Sequence, residues 1–227
     1  MRTNEFPCDT AHVTTEIKDP AAPPGTFRDP VFGDLSRIDE MRGNFVKGNL
    51  MQSRIWYVRD RFGERALSEI QAAIPERARE IIKTPPMSFA WCSFGDMMDI
   101  DRAILEGPMR GDMTLMREFG GAIATHDLPA LYRVLFKVGT PGFVLKRVGT
   151  VAATYVKESP MKGEGAGDNR VVITQTGRTY PYYFCAYGVS GWFEAAVRLS
   201  GGKNITVTHD QCRHRGAEAC HWDARWS

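Results

Sequence analysis

Four residues in the last fifth of this 227-residue chain, Cys185, His209, Cys212 and Cys220, restrict its fold more than any other feature. Thiolate and imidazole groups are soft or borderline donors, and four of them around one ion make a tetrahedral metal site. For them to meet, the intervening chain must leave and return. From Cys185 the apolar residues recur at Val189, Trp192, Ala196 and Leu199, the stripe of an amphipathic helix that ends at Gly201-Gly202. Fifteen helical residues travel about 22 Å. Asn204 to Thr208 alternates Ile205 and Val207 with polar neighbours, which predicts a strand, and six strand residues return about 20 Å. His209 is thereby brought back beside Cys185, on the face that Ile205 and Val207 share.

Between Cys212 and Cys220 lies the polar run Arg213 to Ala219, whose Gly216 can supply the positive φ of a tight reversal. A second strand follows, with Cys220, Trp222, Ala224 and Trp226 on one face and His221, Asp223 and Arg225 on the other. The expected unit is an antiparallel hairpin clamped to a helix by a closed, structural zinc site with ligands Cys185, His209, Cys212 and Cys220. Arg213 or Arg215 would offset the surplus negative charge. Two alternatives stay open: buried free cysteines with a Cys212–Cys220 disulfide, and His214 or His221 in place of His209. His221 is the poorer substitute because its face opposes that of Cys220.

The run Cys185-x5-Gly191-Trp-Phe-Glu, the glycine break, the alternating strand and the spacing from His209 through Cys212 and Gly216 to Cys220-x-Trp222 resemble the 4-vinyl reductase (4VR) domain. Relatives of that domain include the sensory halves of aromatic-responsive regulators, heme-nitric-oxide-binding-like domains and the trafficking TRAPP subunits. The stretch Val46 to Met51 and the run Pro141-Gly-Phe-Val further resemble uncharacterised myxobacterial proteins of that fold. The resemblance spans roughly residues 44 to 227. It departs at His209, where zinc-binding members usually carry Glu. It implies a small-molecule sensor or partner-docking module, commonly dimeric, with zinc bracing the sheet near an apolar pocket.

Composition narrows the classes. Five cysteines at irregular spacing are not a secreted disulfide framework, and a reduced, cytoplasmic setting is expected. The beginning lacks the apolar core of a signal peptide, and no apolar run approaches a membrane span. A net charge of +2, with bases interleaved with acids as in Arg59 to Glu69, gives no nucleic-acid footprint.

Residues 1 to 43, with Asp19-Pro-Ala-Ala-Pro-Pro-Gly25, read as a flexible or draped tail, and residues 44 to 227 as one domain. Met51, Ile55, Val58 and Phe62 follow a helical period that Gly63 ends, and a second helix starts near Glu64. Pro75 opens a short helix that Thr84-Pro85-Pro86 stops. Further stripes are Met109, Met113, Met116, Phe119 and Ile123, interrupted by Gly120-Gly121; then Leu128, Leu131 and Leu135; then Val144, Val148, Val151 and Tyr155. Gly163 to Asp168 reads as a loop and Val171 to Gln175 as a strand. The sum is an α+β fold, a helical half packed on a small antiparallel sheet.

Other motifs carry little chemistry. Gly163-x-Gly165-x-Gly167 precedes a strand, so it lacks the context of a dinucleotide loop. Asp96 reads as a helix N-cap, with Asp99 and Asp101 among the first-turn acids. His126-Asp127 has no nucleophile beside it. Trp56, Tyr132, Phe136, Phe143 and Tyr155 are candidates to line an apolar pocket. The expected function is a non-enzymatic small-molecule-sensing or regulatory domain that signals through a separate partner. A TRAPP-type interaction scaffold and a tetrapyrrole-related enzyme are the alternatives, and no catalytic constellation supports the last.

Overall fold

The computed structural model describes residue 38 and residues 41–127, 139–177 and 180–227. Among these, seven α-helices and two antiparallel sheets make the α+β fold that the sequence pattern predicts. Strand β1 (Phe45–Lys47) pairs with β2 (Trp91–Ser93), and helices α1 (Gly48–Ala73) and α2 (Glu76–Lys83) run between them. Helix α1 breaks at Gly63, where φ is +83° and ψ 173°, a backbone conformation essentially restricted to glycine. The sequence places a helix end at that residue. Ile38 and Met41, which fall within the expected tail, are buried in the core; most of that tail lies outside the described residues.

Helix α3 (Phe94–Glu106) is buried on every side except at Arg102 and Glu106. A helix enclosed all round lies at the centre of a fold, and this one carries three aspartates into the core. Asp96 is not the N-cap, which is Ser93. Its carboxylate instead accepts from Arg42 and Arg77, each at 2.8 Å. Asp99 pairs with Arg42 at 2.9 Å, and Asp101 forms a two-toothed pair with Arg54 at 2.7 and 3.0 Å. The three carboxylates are thus engaged by guanidinium groups, as buried charges require.

Helix α4 (Met113–Asp127) turns Met116, Phe119 and Ile123 inward. Its Gly120 does not interrupt the helix but permits a close approach: a Cβ there would stand 1.9 Å from the carbonyl oxygen of Gly188. The stripe Leu128, Leu131 and Leu135 lies outside the described residues. The stripe from Val144 to Tyr155 is divided into α5 (Pro141–Leu145) and α6 (Val148–Tyr155), because Arg147, at φ −102° and ψ 7°, departs from helical geometry between them.

Four strands form the larger sheet in the order β3 (Met161–Gly165), β4 (Arg170–Gln175), β6 (Cys220–Arg225), β5 (Thr206–Gln211), all antiparallel. The glycine run expected as a loop therefore supplies a strand: Gly163 and Gly165 pair with Ile173 and Val171, so backbone pairing outweighs their weak strand preference. Between β4 and β5 the chain forms a π-helical segment (Phe184–Val189) that continues into α7 (Ser190–Leu199). Val171, Ile173, Val207, Trp222 and Ala224 are buried on the sheet and join the central core.

Candidate functional site

His209 and Cys212 are three positions apart, and on a regular strand they would face opposite ways. A register shift between His209 and Gln211 inserts a bulge into β5, which re-aims the following side chain. A 3-10 turn over Arg213–Arg215, closed by Gly216 at φ +91°, returns the chain to Cys220. The candidate donor atoms of His209, Cys212 and Cys220 consequently lie within 4.8 Å of one another. Cys185 joins them from the π-helical segment, its thiol hydrogen-bonded with Cys212 and Cys220. All three cysteines are free thiols, so no Cys212–Cys220 disulfide forms. Neither His214 nor His221 belongs to the gathered group.

The cluster has marked electrostatics. Hydrogen bonds from Cys185 and Cys220 pull the Cys212 thiol down, so it ionises first. The same sulfur contacts, with complete burial, push the Cys185 thiol up. Burial lowers the pKa of His209 and keeps its imidazole neutral. Both His209 ring nitrogens are shielded from solvent and without a hydrogen-bond partner, a state that costs free energy unless another group engages them. The ring lies between Trp222, 4.8 Å away by centroids, and Tyr182 at 5.9 Å, and the Tyr182 ring is covered by Arg215 at 3.5 Å.

A cavity of about 140 Å³ opens beside this cluster, between α1, α3, α4, α6, the π-helical segment and the sheet. Its walls are mainly apolar, with Phe94, Phe119, Tyr180, Phe184, Trp192 and Trp222 supplying aromatic faces. Cys185 and Trp222 belong to both places, and the Trp222 Nε1 donates to the Cys185 carbonyl at 3.0 Å. Of the aromatics that the sequence offers as pocket residues, Tyr155 lines the cavity. Trp56 instead stacks on His126, and Phe143 packs under Arg147. Tyr132 and Phe136 lie outside the described residues. Sequence reasoning misses Arg54 and Asp127, the charged residues of the lining; their one signal is a polar residue on an otherwise apolar helical stripe.

Solved structures similar to this chain are H-NOX proteins. One from S. oneidensis in the Fe(II)NO ligation state has a TM-score of 0.61 at 15% identity, covering 80% of this chain and 99% of its own. An unliganded Fe(II) H-NOX protein from K. algicida has a TM-score of 0.61 at 10% identity, covering 80% and 96%. A third, named for modulating heme redox potential through protein-induced porphyrin distortion, has a TM-score of 0.57 at 12% identity, covering 80% and 99%. At these identities the likeness is one of fold. No known family profile matches the chain, and no curated protein sequence does either.

These structures overturn the expected structural zinc. The names carried by proteins of this fold are those of Fe(II) ligation states and heme, so the cofactor associated with the fold there is heme and not zinc. Heme itself does not fit the described residues of this chain. None of the histidines at 126, 209, 214 and 221 lines the cavity. Arg54 is not available to a porphyrin carboxylate, because its Nε and Nη2 donate to Asp101 and its Nη1 to the Leu50 carbonyl at 2.7 Å. The volume is also too small. A cavity of about 150 Å³ takes up benzene, so one of about 140 Å³ suits a molecule of one or two small rings. A porphyrin is several times larger.

Proposed function

We propose that this protein is a non-enzymatic sensing domain that takes a small, uncharged, largely apolar molecule into the cavity and signals through a separate protein partner, as a homodimer. The observation that carries this reading is the apolar cavity itself, with polar groups confined to a few of its lining residues, the usual character of a small-molecule site. The likeness in fold to H-NOX proteins, whose names describe NO- and CO-ligated states, supports a sensing role. A 4VR-type sensor is the finer form of this proposal. A TRAPP-like scaffold would need no internal cavity, which favours the sensor over it. No helix among the described residues is long and apolar enough to cross a membrane, and a cytoplasmic setting is part of the proposal.

A ligand against Cys185 and Trp222 would press on the π-helical segment and on the strand that carries Cys220. Single π-helical turns are frequent at functional sites, and this one joins the cavity to the sulfur cluster. The proposal includes that Cys185, His209, Cys212 and Cys220 form one metal-ligating set, because three sulfurs and an unpartnered imidazole suit a thiophilic ion. Elemental analysis of the purified protein tests that part. About one metal per chain, lost together with folding in Cys212→Ser, is expected, and a metal-free chain that folds normally would contradict it.

Calorimetric titration with indole tests the cavity. Saturable binding at one site per chain is expected, and loss of that binding in Val148→Trp, which fills the cavity. Hemin in the same titration is expected to bind without a defined stoichiometry. One-to-one hemin binding with an axially ligated absorption spectrum, or indole binding unchanged in the filled variant, would sink the reading.

A further inference from the structure

We infer that Asp127 selects the ligand: the molecule carries one hydrogen-bond donor on an otherwise apolar body, and its N–H or O–H is received by the Asp127 carboxylate. The inference rests on the cavity reading above and adds the chemistry of the occupant. Two charged side chains line the cavity among the described residues, Arg54 and Asp127. The Arg54 guanidinium is engaged on all three nitrogens, by Asp101 and the Leu50 carbonyl.

Asp127 differs. Its side chain is 6% exposed, yet among the described residues no guanidinium or ammonium group forms an ion pair with it, Arg54 acting on it only through space. Ser53 Oγ donates to Oδ2 at 2.8 Å, and His126 Nδ1 lies 3.2 Å from Oδ1. A carboxylate offers about four acceptor sites, so two contacts leave it with acceptor capacity inside an apolar chamber. Helix capping does not account for its position, because a negative charge in the last turn of α4 faces the negative end of the helix dipole. The Tyr155 hydroxyl, also in the lining, is already directed at the Asp127 carbonyl at 3.4 Å. An anion would be repelled by this group. A molecule that offers only acceptors would leave it unmatched, and a donor satisfies it.

Indole and benzofuran separate these cases, because the two bicycles share size and shape and differ in an N–H against an acceptor oxygen. In calorimetric titrations of the full chain, indole is expected to bind at least about tenfold more tightly than benzofuran, the scale of a hydrogen bond to a charged group. The preference is expected to disappear in Asp127→Ala and to shrink to a few-fold in Asp127→Asn, which preserves side-chain size and serves if the alanine variant does not fold. Equal binding of the two probes to the wild-type protein overturns the assignment to Asp127 and leaves the cavity reading intact, as does an undiminished preference in the variants. Failure of both probes to bind overturns the cavity reading and this inference with it.

Discussion

Replacing Gly120 by Ala tests the packing that shapes the cavity. The new methyl carbon would lie 1.9 Å from the Gly188 carbonyl oxygen and 2.7 Å from its carbon. Non-bonded carbons rest at about 3.5–4.0 Å, so α4 and the π-helical segment must separate by about 1 Å or more. Both sides of the clash are backbone, and no rotamer relieves it. Overpacking of this kind costs about 1–3 kcal/mol or somewhat more, while Ala gains about 1 kcal/mol over Gly in a helix interior. Taking the upper end of the cost, the net loss is about 2 kcal/mol, which lowers Tm by about 4–8 °C in a chain of this size. Thermal and urea unfolding followed by circular dichroism measure it. Gly120 and Gly188 both line the cavity, so indole affinity should fall as well. A variant as stable as wild type, or more so, would refute the close helix contact and the cavity wall built on it.

Two further perturbations address the buried charges. Arg54→Met leaves Asp101, whose side chain is fully buried, without its partner; a loss of about 3–5 kcal/mol is expected in urea unfolding, and an Arg54→Met/Asp101→Leu double variant should recover much of it. Burial raises the pKa of Asp127, restrained by hydrogen bonds from Ser53 and His126, so the folded chain holds this proton more tightly than the unfolded one. The resulting contribution to stability is complete below the unfolded value of about 3.9 and is lost as pH rises through the higher folded value. Asp127→Asn should therefore gain on wild type as pH rises from about 4 towards neutrality. A constant difference across that range, measured by urea unfolding, would contradict the assignment.

The C-terminal clamp was legible because its determinants are local and periodic. Helix length, strand length and the glycines at 201 and 216 suffice to bring Cys185 near Cys212 and Cys220. The bulge after His209 is not legible, since one extra strand residue leaves no compositional mark. Helix α3 escapes a periodicity reading for a different reason. Its apolar residues Met97, Met98, Ile100, Ile104 and Leu105 occupy every face, and Asp96, Asp99 and Asp101 look like a solvated side until Arg42, Arg54 and Arg77 arrive from elsewhere in the chain. The cavity is still less accessible to sequence. Its walls come from separated segments between Leu50 and Trp222, and what makes them a chamber is the gap left among packed elements. The spacing of Cys185, His209, Cys212 and Cys220 carries the proximity of these side chains, which the fold shows, but neither ligation nor the identity of an ion follows from spacing.

On the function proposed, a small apolar molecule occupies the chamber between α4, the π-helical segment and the sheet. Crystals of the protein grown with 5-bromoindole, with diffraction recorded at the bromine absorption edge, test it most directly. One dominant anomalous peak per chain is expected inside the cavity, bounded by Phe94, Met116 and Trp222, with the indole N–H directed at Asp127. A well-ordered bromine site elsewhere on the protein, with the cavity empty or filled by a rearranged side chain, would contradict it.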